Sequence, residues 1–125
     1  MTNALKNDLG LALLRIVSSG FLLTHGIPKF QKLISGSFEF ADPIGIGATP
    51  SLFLMVLAEF VCPILIIIGF KTRWAAIPPA IGMAVAGLIH HSADPFGTKE
   101  KPLLFLIIFI TIFLMGPGKY SVDKK

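Results

Sequence analysis

The sequence predicts an all-α fold, an integral membrane four-helix bundle built as one domain. Three observations predict it. Of 125 residues, 54% are hydrophobic and only 14% charged, against roughly 45–50% and 25% in an ordinary globular domain. The apolar residues gather into four runs, at about 8–30, 50–70, 74–91 and 99–115, each close to the ~20 residues that cross a bilayer as a helix. Between the runs stand glycine, proline and charged residues, the composition of turns. A soluble domain of this size buries too small a fraction of its surface to hide so much apolar area. Four spans also use nearly the whole chain, which leaves no room for a catalytic or dinucleotide-binding domain.

The first span begins near Asp8, a residue suited to cap a helix, and ends near Phe30. It is too long for a signal-peptide core, so it is expected to be retained. The segment from Gln31 to Thr49 is rich in Gly, Ser, Pro and Phe, and reads as a loop outside the bilayer with Phe38 and Phe40 dipping into the interface. Thr49 and Pro50 are the expected cap and first residue of the second span. That span carries Glu59, Cys62 and Pro63 and stops at Gly69. Lys71, Thr72 and Arg73 make a charged turn.

Ala76, Ala80 and Ala84 repeat every fourth residue in the third span, as do Gly82 and Ala86. Small residues at this spacing let membrane helices approach closely, so this helix is expected at the centre of the bundle, bent near its start by Pro78 and Pro79. His90 to Pro95 form a turn. Thr98 is the expected cap of the fourth span, with Pro102 in its first turn. This span is nearly all Leu, Ile and Phe and is expected to be the most lipid-exposed. Gly116-Pro117-Gly118 stops it. Trp74 and Tyr120 are expected interfacial anchors.

The net charge of +4 is not concentrated in any basic run, so nucleic acid is not an expected partner. The lysines and arginines instead flank the spans. Lys6, Lys71, Arg73, Lys119, Lys124 and Lys125 fall on one side; Lys29, Lys32, Lys99 and Lys101 fall on the other. The positive-inside rule then places both termini in the cytoplasm, in a plasma (inner) membrane protein. The single cysteine, Cys62, excludes an internal disulfide and a CxxC redox pair. It reads as a small buried hydrophobe.

Charged groups at membrane depth are costly and usually face the protein interior. Arg15 lies about 10 Å into the first span at about 1.5 Å per residue. Glu59 lies about nine residues into a span running the other way, so that in a ~30 Å core the two backbones differ in depth by several ångströms, which an arginine side chain can cover. The two are expected to pair, either as a register-fixing structural ion pair or as part of a binding site. Pro63 cannot donate to the carbonyl of Glu59 four residues earlier, which places a carboxylate and a freed backbone acceptor together. His25 and Lys29 share a helix face, along with Ser18 and Phe21. His90 and His91 end the third span on the same side of the membrane. These histidines, Lys29 and Glu100 could gather at an outer mouth under the first loop. No metal is expected, since the ligands lack a motif spacing such as HExxH. The alternatives are water-facing interfacial histidines and a polar rim for a quinone head group, which imidazole can hydrogen-bond. Ser18, Ser19 and Gly20 are assigned to close packing or to bonding the carbonyl four residues back.

The order of these features resembles the DoxX family of small bacterial membrane proteins. The resemblance is carried by Leu14-Arg15, His25-Gly26 and Lys29 in the first span, and by Ala58-Glu59 in the second. It continues through Gly69 with Thr72-Arg73, the Ala-rich third span, and Gly116-Pro117-Gly118-Lys119-Tyr120-Ser121 with Asp123 nearby. Where other members often have small residues after the glutamate, this chain has Val61-Cys62-Pro63. The resemblance implies a four-helix membrane protein. The family name comes from subunits of quinone-linked respiratory oxidoreductases, and some relatives are linked to redox-stress complexes.

The leading expectation is a membrane subunit of a redox system that binds a quinone or similar lipid-soluble molecule in a polar pocket. Arg15, His25, Lys29, Glu59 and His90 are its expected ligand-binding residues. Flavin, haem and iron–sulfur motifs are missing from the sequence, so no intrinsic cofactor is expected beyond a bound quinone. Electrons would have to come from a soluble oxidoreductase partner, and the chain would not be a catalyst alone. The alternatives are a non-catalytic membrane anchor or assembly protein for such an oxidoreductase, and a small transporter. A homo-oligomer is left open.

Overall fold

The computed structural model describes residues 2–36 and 45–123. These residues are helical, with no strand among them. Four helices make a bundle: α1, Asn3–Ile34; α2, Ala48–Ile68; α3, Thr72–His90; and α4, Phe96–Met115. The first three are long and apolar enough to cross a membrane. The fourth has 20 residues, and Lys99, Glu100 and Lys101 occupy its first turns, so its apolar run starts at Pro102.

Chain direction follows from the contacts at the ends. Lys119 N donates to Asp8 Oδ1 at 3.2 Å, so α4 finishes beside the start of α1. Asp123 reaches the turn between α2 and α3. The proximal end of the bundle therefore holds both ends of the described chain and the α2–α3 turn. The distal end holds the α1–α2 connection and the turn after His90. The helices alternate in direction and traverse the bundle four times.

Several helix boundaries differ from the sequence expectation. The first helix starts at Asn3, because Thr2 caps it by accepting from Leu5 N. Asp8 serves the returning tail instead. At its other end α1 runs to Ile34, and α2 begins at Ala48 with Gly47 as its cap, so Thr49 lies inside the helix. Pro95, not Thr98, precedes α4. Phe38, Phe40, Lys124 and Lys125 lie outside the described residues. Gly69 and Gly116 do end their helices, with φ of 75° and 81°, a region that glycine enters without a Cβ penalty.

Two helices widen into π turns, at Leu57–Val61 in α2 and Val85–His90 in α3. In the first, Cys62 N donates to the Leu57 carbonyl five residues back. This turn lies immediately before Pro63, whose ring would otherwise press on the carbonyl four residues earlier.

The core is apolar where helices meet. Leu22, Ile66, Ala76, Phe109 and Ile112 are essentially inaccessible. Ala76 and Gly82 of the small-residue stripe are buried, and Gly82 rests against Ala58 and Met55 of α2. Helix α4 is two-faced. Phe105, Phe109 and Ile112 turn inward, while Leu104, Ile107 and Leu114 are exposed, as lipid-facing residues are in the absence of a bilayer. Trp74 and Tyr120 are exposed near the proximal end.

Candidate functional site

The two membrane-embedded charges singled out by the sequence do not meet. Arg15 is 1% exposed and spends its donors on carbonyls. Its Nε donates to Ile66 O at 2.7 Å and its Nη1 to Pro117 O at 2.8 Å. Its Nη2 donates to Ile67 O at 3.0 Å and Tyr120 O at 2.9 Å. These acceptors are carbonyls near the C-terminus of α2 and in the tail after α4. Helix C-termini leave such groups without intrahelical donors and carry partial negative charge. A planar guanidinium can serve several at once. The expected Arg15–Glu59 ion pair is therefore corrected: the count along the spans put the two groups within an arginine's reach, but Glu59 lies level with Gly26, ~16 Å along α1 from Arg15 at about 1.5 Å per residue, and Arg15 serves the proximal end.

The tail docked by Arg15 is tied down by further bonds. Val122 N donates to Ile68 O at 3.0 Å and Asp123 N to Gly69 O at 2.9 Å. The Asp123 carboxylate accepts from Lys71 N, Thr72 N and Thr72 Oγ1 at 3.0, 3.0 and 3.1 Å. It acts as the N-cap of α3, supplied from a distance in sequence. Ser121 packs where a side chain at Gly69 would stand, so Gly69 is needed both for its turn and for this approach.

Glu59 is paired with Lys29 of α1. The carboxylate side chain is 4% exposed and the lysine 26%. Three contacts build this pair. Gly26, one turn before Lys29, lies directly on the backbone carbonyl of Glu59, where no Cβ would fit. Phe30 and Phe60, the next residues along each helix, stack with centroids 4.3 Å apart and planes 1° from parallel. The π turn supplies the backbone that α1 leans upon. Lys29 was legible as a candidate, but its partner was not.

Beside the pair, between α2 and α3, lies a cavity of about 530 Å³. Lys29, Ser51, His90 and His91 contribute its polar groups; Leu54, Met55, Leu57, Ala58, Pro78, Ile81, Gly82, Val85 and Ala86 make the rest of its wall. Both π turns contribute to this wall. Leu54, Leu57 and Ile81 are 50%, 43% and 60% exposed, so the wall reaches the outer surface of the bundle and the cavity opens sideways. His90 and His91 meet edge to face at 4.6 Å, and His91 Nδ1 lies 2.7 Å from Asp94 Oδ2. Lys99 Nζ donates to Ser92 O in the same turn, at 2.9 Å.

The expected ligand-binding residues thus divide. Lys29 and His90 line the cavity, and Glu59 stands behind Lys29. His25 is exposed and outside the lining, and Arg15 serves the proximal end. The sequence reading missed Ser51 and the apolar wall. Ser18 does bond the Leu14 carbonyl, as assigned; Ser19 is fully buried with no hydrogen-bond partner among the described residues. Among the described residues no cluster of His, Cys, Asp and Glu could hold a metal ion.

Comparison with known proteins places this geometry in context. The family model for DoxX matches residues 10–92. A protein from Haemophilus influenzae is 32% identical over 92% of this chain and 89% of its own length. A Bacillus subtilis protein named "Putative oxidoreductase CatD" is 29% identical over 93% of this chain and 86% of its own. The Escherichia coli "Inner membrane protein YqjF" is 27% identical over 94% and 92%. No solved structure matches the chain.

Proposed function

Because this chain belongs to the DoxX family, we propose that it is the membrane subunit of a redox system and holds a quinone, or a similar lipid-soluble molecule, in the cavity beside Lys29 and Glu59. The observation that carries the reading is the cavity itself. Its volume of about 530 Å³ suits a substituted ring, its wall opens toward lipid, and a charged pair stands at its side. Lys29 would donate to a ring carbonyl. Glu59 would hold Lys29 in place and exchange a proton with it. His90 would stand at the outer approach.

The name of the Bacillus subtilis relative supports an association with redox chemistry. Electrons would come from a soluble oxidoreductase partner, since this chain carries no electron-carrying motif of its own. We propose an inner-membrane location with both termini in the cytoplasm, from the cations Lys6, Lys71, Arg73 and Lys119 at the proximal end. A plain anchor would have no use for the cavity. A transporter would need a polar path through the proximal half, which Arg15 and the tail fill.

The test is purification in mild detergent, followed by mass spectrometry of extracted lipids and an absorbance spectrum. Quinone is expected with the wild type and lost from Glu59→Gln. Ile81→Trp, which adds bulk to the cavity wall at its lipid-side edge and away from the ion pair, should lose it too while keeping its helical circular dichroism. No quinone from the wild type, or undiminished quinone from Ile81→Trp, overturns the proposal.

A further inference from the structure

We infer that the cavity takes its occupant in one orientation, with an oxygen-acceptor head group at the distal rim and a hydrocarbon chain directed toward the bundle centre. The inference rests on the reading that the cavity holds a lipid-soluble molecule, and it adds the class of head group and the side from which that head is reached.

The polar wall groups are not scattered. Ser51 lies in the first turn of α2 and His90 and His91 at the end of α3, all distal. Lys29 reaches the cavity from the last turns of α1. The opposite end of the wall is apolar: Pro78, Ile81 and Gly82. Pro78 precedes His90 by about 18 Å of helix at ~1.5 Å per residue. The cavity therefore has one polar end and one oily end, the shape of an amphiphile lying in the distal leaflet. Beyond the oily end the proximal half is closed by Arg15 and its carbonyls, so a head group has the distal end alone as its polar berth.

The kind of head follows from the donors. An ammonium only donates, and a serine hydroxyl and imidazole N–H can donate as well. Among the described residues no carboxylate lines the cavity; Glu59 lies behind Lys29 and is engaged by it. A carbonyl or a carboxylate meets complementary groups there. A cationic head offers no acceptor to these donors, and it meets the ammonium of Lys29 before the carboxylate behind it.

Two photoreactive ubiquinone analogues test this on the purified full-length protein in mild detergent. One carries a diazirine at the end of its side chain and the other on its ring. The tail probe should label the peptide holding Pro78 to Gly82, and the ring probe those holding Ser51 and His90-His91. Decylubiquinone and palmitate serve as uncharged and anionic competitors and separate a carbonyl source from a carboxylate source. At least one should compete about tenfold or more better than hexadecylamine, a difference of roughly 1.4 kcal/mol. Saturable labelling with the two patterns exchanged, or equal competition by the amine, overturns the orientation and leaves the cavity reading standing. Labelling that no competitor reduces overturns both.

Discussion

Gly26 rests on the carbonyl of Glu59, the same carbonyl that Pro63 cannot serve as a helical donor. The missing side chain, the proline and the π turn are one device: α2 is opened so that α1 can lean on its backbone. That contact sets the height at which Lys29, one turn further on, finds the Glu59 carboxylate.

Gly26→Ala should therefore act through backbone displacement. A methyl group there has only backbone to push, so the helices must part. The expected cost is about 1–3 kcal/mol, as for overpacking in a core. A lowered thermal midpoint in detergent would show it, together with loss of quinone recovery as Lys29 and Glu59 separate. An unchanged midpoint would contradict the contact.

The Lys29–Glu59 pair is best examined as a cycle. Removing one partner strands the other, at a cost below the ~3–5 kcal/mol of a fully buried pair because the lysine is 26% exposed. The double variant Lys29→Met with Glu59→Met should recover most of that stability. It should not recover quinone binding. A stable double variant that still retains quinone would reduce the pair to internal support.

Arg15→Lys should release the tail. A single ammonium cannot reach carbonyls on both α2 and the tail, and each charged hydrogen bond lost is worth roughly 1.5–3 kcal/mol. Limited proteolysis should then cleave after Lys119, a site held in the folded wild type. The distal cavity should still label with the quinone probes, since Arg15 is not part of it.

Asp123→Asn should weaken the start of α3 by about 1 kcal/mol, the usual scale of a lost N-cap interaction. Hydrogen exchange at Lys71 and Thr72 amides should rise, with little change at Gly82. Equal protection in both proteins would mean that the carboxylate contributes nothing there.

The extent to which this molecule is written into its sequence can be traced residue by residue. Gly69 and Gly116 announced helix ends because a left-handed residue needs glycine locally. Ala76 with Ala80 and Ala84, and Gly82 with Ala86, announced close packing because a spacing of four residues is near a helical period. Lys29, Glu59 and Arg15 stood out because charge is rare in lipid. Pairing was different. Depth along a span can be counted, but the direction in which a helix turns its side chains toward a neighbour cannot be counted from one chain. Counting put Arg15 and Glu59 within reach of each other, yet the contact with Gly26 sets Glu59 ~16 Å along α1 from Arg15. The signal for Arg15 was present in another form: breaks at Gly69 and at Gly116-Pro117-Gly118 leave carbonyls unserved at the proximal end, and a buried cation nearby is a natural donor to them. The cavity was not legible, because two π turns contribute to its wall, and nothing local in Leu57–Val61 or Val85–His90 beyond Pro63 foretells a wider turn.

The carbonyls that satisfy Arg15 belong to residues 66, 67, 117 and 120. During synthesis the arginine is delivered to the bilayer within the first hairpin, while two of its acceptors are still untranslated. The nascent bundle must carry an unfinished charge until the tail after α4 has been made. Closure of the bundle thus waits on residues 117 and 120, and a product stalled before them keeps an arginine with half its acceptors missing.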